Sequence, residues 1–205
     1  MRRGLLLMAT MLTALLMGSG IAFAAEIILT NGDDTRSGTD NDDIMYGRGG
    51  EDNLRGRGGD DQIYGGPGQD HLQGQTGSDY LEGGPALDFL EGGSGADELL
   101  GGDGNDELFG FEGNDTYFGG EGNDQMTDTS GTGTNDEYFG GRGSDWIADI
   151  LGTDDLNGGG GDDTLDAQGS DQDGGNDLLN GGFGTDTCFF DEGDEVLSCE
   201  VQNPL

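Results

Sequence analysis

Lysine is absent from the 205 residues, and the basic side chains are seven arginines and one histidine set against 43 acids. The formal charge of −36 repels nucleic acid and anionic membranes, which excludes both as electrostatic partners. Cations are the natural counterpart. Apolar residues are scarce as well, and 46 glycines leave too little for an ordinary core. Such a composition commonly belongs to chains without fixed structure. With one histidine and two cysteines, no imidazole or thiolate cluster can form, and no H-E-x-x-H is present. Cys188 and Cys199 stand too far apart for a C-x-x-C redox centre.

Against disorder stands a strict period of nine. In the frame that begins at Gly65, the sixth position is Asp34, Asp43, Asp52, Asp61, Asp70, Asp79, Asp88, Asp97, Asp106, Asp115 and Asp124 over residues 29–127. The frame resumes over 131–166 with Asp136, Asp145, Asp154 and Asp163, and over 172–189 with Asp177 and Asp186. Insertions at 128–130 and 167–171 separate the three blocks. All seventeen units keep the aspartate, and the eighth position is apolar in every unit but the first, where it is Arg36.

The amino terminus reads as a processing signal. Arg2 and Arg3 precede an apolar run over 5–16, and Ala22-Phe23-Ala24 places small residues two apart ahead of Ala25. That is the pattern of a secretory signal peptide, here 1–24, and the exported chain is expected to be extracellular with no membrane insertion after processing. An uncleaved anchor is the rival reading. Export to an oxidising compartment predicts that Cys188 and Cys199 bridge, tying the tail over 190–205 across the last open strand edge as a cap.

Within each unit, glycine recurs at the first and fourth positions, where positive φ or a close approach costs least. The first six residues are therefore expected to turn. The last three, such as His71-Leu72-Gln73, place one apolar residue between polar ones, as a short strand with its middle side chain inward. One buried side chain per nine ordered residues falls far short of the ordering entropy. Stacked units would also set carboxylates about 4.8 Å apart, where like charges repel by roughly 3 to 4 kcal/mol at an effective dielectric near 20. Something positive must sit between them. Hard oxygen donors on a flexible glycine turn select Ca²⁺ over Mg²⁺, which demands a tight octahedron.

Gly65-Gly66-Pro67-Gly68-Gln69-Asp70-His71-Leu72-Gln73, Gly101-Gly102-Asp103-Gly104-Asn105-Asp106-Glu107-Leu108-Phe109 and Gly181-Gly182-Phe183-Gly184-Thr185-Asp186-Thr187-Cys188-Phe189 resemble the G-G-x-G-x-D-x-U-x repeats of RTX, or haemolysin-type, calcium-binding proteins. The resemblance covers nearly all of the exported chain. It implies an all-β, right-handed parallel β-roll over 25–189, with two units per coil and rows of calcium ions along both edges. Each ion would be held by sixth-position aspartates and turn carbonyls of successive coils. Departures stand at the fourth position in Asn41, Ala86 and Thr134, and at the first in Leu29, Asp149 and Gln172, where sites are expected to be weak or empty. The insertions are expected to loop outward without reversing the inward face, and the first unit to fray or cap the roll. Family toxins leave through a dedicated channel, whereas this chain resembles a substrate of the general secretory route.

Family members often carry a protease, lipase or pore-forming domain ahead of the repeats. Only residues 25–28 lie between the expected cleavage site and the first unit, so no enzymatic activity is expected. His71 falls at the solvent-facing seventh position. Gly92-Gly93-Ser94-Gly95-Ala96 lacks the final glycine and the histidine partner of a nucleophile elbow. Asp171-Gln172-Asp173-Gly174 begins like an EF-hand loop and lacks its remaining ligands. Tyr80, Phe89, Phe109, Phe118, Phe139 and Trp146 fall at outward positions. They read either as cross-strand ladders or as a patch for a cell-surface or self-association partner. The sequence thus predicts a secreted calcium binder that folds as ions bind. The alternative is a calcium-dependent adhesion or surface-assembly protein.

Overall fold

The computed structural model describes residues 24–128, 134–149, 151–168 and 176–204. The expected signal peptide, apart from Ala24, lies outside them, as do most of the two insertions and Gln172.

Twenty strands follow in chain order: β1 Glu26–Ile28, β2 Thr35–Ser37, β3 Ile44–Tyr46, β4 Asn53–Gly58, β5 Gln62–Tyr64, β6 His71–Thr76, β7 Tyr80–Pro85, β8 Phe89–Ser94, β9 Glu98–Asp103, β10 Glu107–Glu112, β11 Thr116–Glu121, β12 Gln125–Asp128, β13 Glu137–Arg142, β14 Trp146–Asp149, β15 Asp155–Gly160, β16 Thr164–Asp166, β17 Leu178–Phe183, β18 Thr187–Phe190, β19 Glu195–Leu197 and β20 Val201–Pro204. Odd strands form one ten-stranded sheet and even strands another, each pairing parallel with the strand two further on. Two nonapeptides therefore make one coil. The described residues form an all-β parallel solenoid, as a β-roll requires.

The core is a column of eighth-position side chains from Met45 to Cys188, one per strand and each fully buried. Period two along each strand sends the neighbours of that residue to the outer face. The insertions leave this column intact, because Met126 pairs with Ile147 across the first and Leu165 with Cys188 across the second.

Three expectations change. Most full repeats carry six-residue strands, not three, spanning positions seven to nine and then one to three of the next unit, as in β6. The ladder survives there, since Gly84 pairs with Gly102 and Pro85 with Asp103. The turn proper is thus only the fourth to sixth positions. Positive φ at the second position, +119° at Gly84, bends the strand without ending it. Arg48, Arg57, Gln75 and Phe111 adopt the same conformation there without glycine's freedom.

The roll also begins earlier than the first counted unit. Ile27 in β1 pairs with Met45, so it stands at an eighth position one unit upstream. Arg36, inward by count, is exposed on β2, whose one partner strand is β4. A guanidinium cannot enter the dry column unpaired, and at the end of the stack it can stay in water. The tail, too, is more than a lid: β19 extends one sheet and β20 the other by one strand each. The Cys188–Cys199 disulfide forms and ties this last coil to the core column.

Candidate metal centre

The sixth-position aspartates line up in two rows along the turns. In one row each carboxylate caps the coil before it: Asp43 N–H donates to Asp61 Oδ1 at 2.7 Å, Asp61 N–H to Asp79 at 2.8 Å, and Asp79 N–H to Asp97 at 2.8 Å. The pattern runs on through Asp115, Asp136, Asp154 and Asp177. The other row begins with Asp34 N–H on Asp52 Oδ1 and passes through Asp70, Asp88, Asp106, Asp124, Asp145, Asp163 and Asp186. The structure therefore brings all seventeen predicted residues into two rows.

Only one oxygen of each carboxylate is used in this way. At fourteen sixth positions, from Asp52 to Asp186, Oδ2 is buried and accepts no hydrogen bond. The first coil differs. Thr30 donates its N–H and hydroxyl to Asp34 Oδ2, and Thr39 N–H donates to Asp43 Oδ2 at 2.5 Å.

The first-position glycine makes room for the unpartnered oxygen. A Cβ on Gly83 would stand 2.5 Å from Asp88 Oδ2 and 2.8 Å from the carbonyl oxygen of Gly101. A buried anionic oxygen and a backbone carbonyl thus converge on one small space that any side chain would fill. Two acceptors facing each other call for a cation between them. Hard oxygens of this kind fit Ca²⁺, which takes six to eight of them in irregular geometry. Arg142 pairs with Glu121 and His71 with Glu91 on the outer faces, away from both rows.

Electrostatics carry the same message. Burial pushes Asp88 up to about 8, aided by the charges of Asp106 and Asp70 and opposed by the Asp70 N–H. Burial likewise raises Asp61, Asp97, Asp106 and Asp145 to about 7. A row of carboxylates this costly to ionise needs protons or metal ions to stand at neutral pH.

Sequence reasoning missed four carboxylates. Asp194 Oδ1 accepts the Asp177 N–H at 3.1 Å and Glu200 Oε2 accepts the Asp186 N–H at 2.8 Å, so the tail completes both rows. The signal was present: Asp194-Glu195-Val196-Leu197 keeps the D-x-U-x half of the repeat without its glycines. Asp149, at a first position that glycine holds in most other units, is buried, and so is Asp128, which is level with it in the strand register. Of the fourth-position departures, Ala86 keeps a positive φ of 105° and Thr134 bridges to Gly152.

Five of the six outward aromatics join ladders, while Trp146 is exposed. Phe118 stacks on Phe139 with centroids 5.0 Å apart, while Phe89 packs at a tilt against Phe109 at 5.2 Å and Tyr64 against Tyr80 at 5.6 Å. His71 joins the Phe89 ladder edge-on, and its Nδ1 lies 3.2 Å from Asn53 Nδ2.

The family described as RTX calcium-binding nonapeptide repeat (4 copies) matches this chain over residues 28–63, 37–72, 64–99, 91–126, 130–165, 150–171 and 173–196. The chain belongs to that family. A search of the curated proteins finds no match. The RTX match breaks at residues 127–129, at the first insertion, takes in the second, and ends inside β19, so it includes Asp194 and stops short of Glu200.

Proposed function

We propose that this RTX chain is an exported, non-catalytic calcium-binding protein whose sixth-position aspartates hold several Ca²⁺ ions between successive coils and whose roll forms as they bind. The observation that carries the reading is the pair of carboxylate rows, in which fourteen aspartates from Asp52 to Asp186 are buried with one oxygen lacking a partner. Every ion lodged between coils would replace a like-charge repulsion by two attractions. Ion binding would then be folding free energy, as in other small metal-dependent domains. The signal-peptide pattern of residues 1–24 supports export. Adhesion through the aromatic faces has less support, because rings such as Phe118 and Phe139 are half-buried against each other in ladders, and of the six outward aromatics only Trp146 is exposed.

The test is calorimetric titration of the exported form with calcium, followed by circular dichroism in excess EDTA at neutral pH. Multiple bound ions and a β signal that disappears on chelation are expected. An unchanged spectrum in EDTA overturns the coupling, and the absence of calcium heat overturns the reading altogether.

A further inference from the structure

Asp128 and Asp149 end β12 and β14 and Ala167 follows β16, all on one edge, where they precede Asp136, Asp154 and Asp177 of one row. On that edge the residue that directly follows the ninth position, glycine in most units, is another residue four times in succession, at Asp128, Asp149, Ala167 and Phe190. The inward residues opposite also change, from leucine to Tyr117 and Tyr138, whose rings stack with centroids 4.3 Å apart. The Tyr138 hydroxyl donates to Asp149 Oδ2 at 2.8 Å, and Leu151 N–H donates to Asp149 Oδ1 at 3.2 Å. This fixes Asp149 in the interior, beside two aspartates of the repeat row.

We propose that Asp136, Asp149 and Asp154 form a cation site distinct from the repeat cradles, a three-carboxylate cage oriented by Tyr138 that binds a hard divalent or trivalent ion more tightly than any repeat does. One ligand oxygen from each lies within 4.8 Å of the other two. Oxygens at about 2.3 to 2.6 Å from one Ca²⁺ stand no more than about 5 Å apart, so a single ion can reach all three. Independent of this clustering, Oδ2 of Asp136 and Oδ2 of Asp154 are buried and accept no hydrogen bond. Those residues are 1 % and 3 % exposed. Asp136 Oδ1 and Asp154 Oδ1 are committed to the N–H groups of Asp115 and Asp136, which holds the free oxygens in place.

A third carboxylate adds a full charge to a site where the repeats offer two, and ligand charge sets affinity in oxygen cages of this kind. The tyrosine acts as an outer partner that orients a ligand and limits its motion. The departure from glycine at Asp149, which the repeat pattern marks as a weak site, is on this account the strongest.

The proposal rests on the reading of sixth-position aspartates as ligands, and terbium titration separates the two. Tb³⁺ is hard and oxygen-seeking, and the stacked Tyr117 and Tyr138 would sensitise its emission. The full exported chain should show a first emission step, saturating at one equivalent, before the bulk of the β signal appears. Asp149→Asn and Asp149→Gly, the second restoring the repeat residue, should weaken that step at least tenfold while leaving the later cation-driven β signal in place. Variants that titrate like the parent, with calcium still ordering them, overturn the cage and leave the repeats standing. A parent chain that neither binds Tb³⁺ nor orders with Ca²⁺ overturns both.

Discussion

Asp88 accepts the backbone N–H of Asp70, one coil earlier, through Oδ1 at 2.7 Å, while its Oδ2 is buried without a partner. On the proposed reading the same side chain has a structural half and an ion-binding half, and two substitutions separate them. Asp88→Asn keeps an oxygen for the Asp70 N–H and removes the charge. Calorimetry should show fewer calcium ions bound, with the metal-free chain more ordered than the parent. Asp88→Ala loses both functions and leaves the Asp70 N–H buried and unpaired, which adds about 1 to 3 kcal/mol of destabilisation in the calcium-bound state. Equal melting temperatures for the two variants in saturating calcium would contradict this division.

Acid should substitute for the ion. Burial raises Asp61, Asp97 and Asp115 to about 7 and Asp88 to about 8, from an ordinary value of 3.8. A carboxyl whose pKa rises on folding stabilises the fold when protonated. Its contribution is complete below the unfolded value and is lost as pH climbs through the folded one. In EDTA the β signal should therefore be strongest in acid and fall away between about pH 6 and pH 8. In calcium the dependence reverses in sense, because protons compete with the ion for the same oxygens. Circular dichroism across pH with and without chelator checks both limbs. A metal-free signal that grows toward neutral pH would be the contrary outcome.

The period of nine makes two columns legible in the sequence alone. It marks the aspartates that form the turn rows and the inward residues that form the core, since one side chain in nine repeats at one height on every coil. Strand length is not legible, because Gly84 reads as a turn residue and only the register with Gly102 shows it within a ladder. The ends are hidden for a related reason. Ile27 and Asp194 occupy repeat positions without the glycines that announce a repeat, and neighbouring strands impose the geometry that local sequence leaves open. Asp149 is legible as a departure from the pattern. Its three-carboxylate neighbourhood is not, because it depends on the Tyr138 hydroxyl reaching across from the opposite sheet.

Glycine at the first position is a matter of space, and the roll contains its own control. A methyl group on Gly83 would meet Asp88 Oδ2 at 2.5 Å and the Gly101 carbonyl at 2.8 Å, whereas one on Gly32 would meet nothing within 4 Å. Gly83→Ala should cost about 1 to 3 kcal/mol through overpacking. It should also weaken calcium binding, because the displaced oxygen is the one proposed to face the ion. Gly32→Ala should stay within about 0.5 kcal/mol of the parent. Thermal melts in calcium, paired with calcium titrations, distinguish a steric effect on the site from a general loss of backbone freedom, which would affect both variants alike.

The last coil depends on a covalent tie where the others depend on their turns. Leu197 is level with the ninth-position Asn180 and Val201 with the seventh-position Thr187, so the closing turn has only residues 198–200 where a full repeat places six, too few for its glycine loop. Cys199 lies within that turn and is bonded to Cys188 in the core column, across a separation of 11 residues. Cys199→Ser should cost about 3 kcal/mol by the loop-closure relation, with the loss confined to the coil that holds β19 and β20. Solenoid stability is a sum over neighbouring units, so coils at a distance should keep their calcium and their protection. Limited proteolysis of the calcium-loaded variant, read by mass, should show cleavage within residues 191–204 and a resistant core ending near Cys188. Cleavage distributed along the whole chain would mean instead that the disulfide stabilises the roll as one cooperative unit.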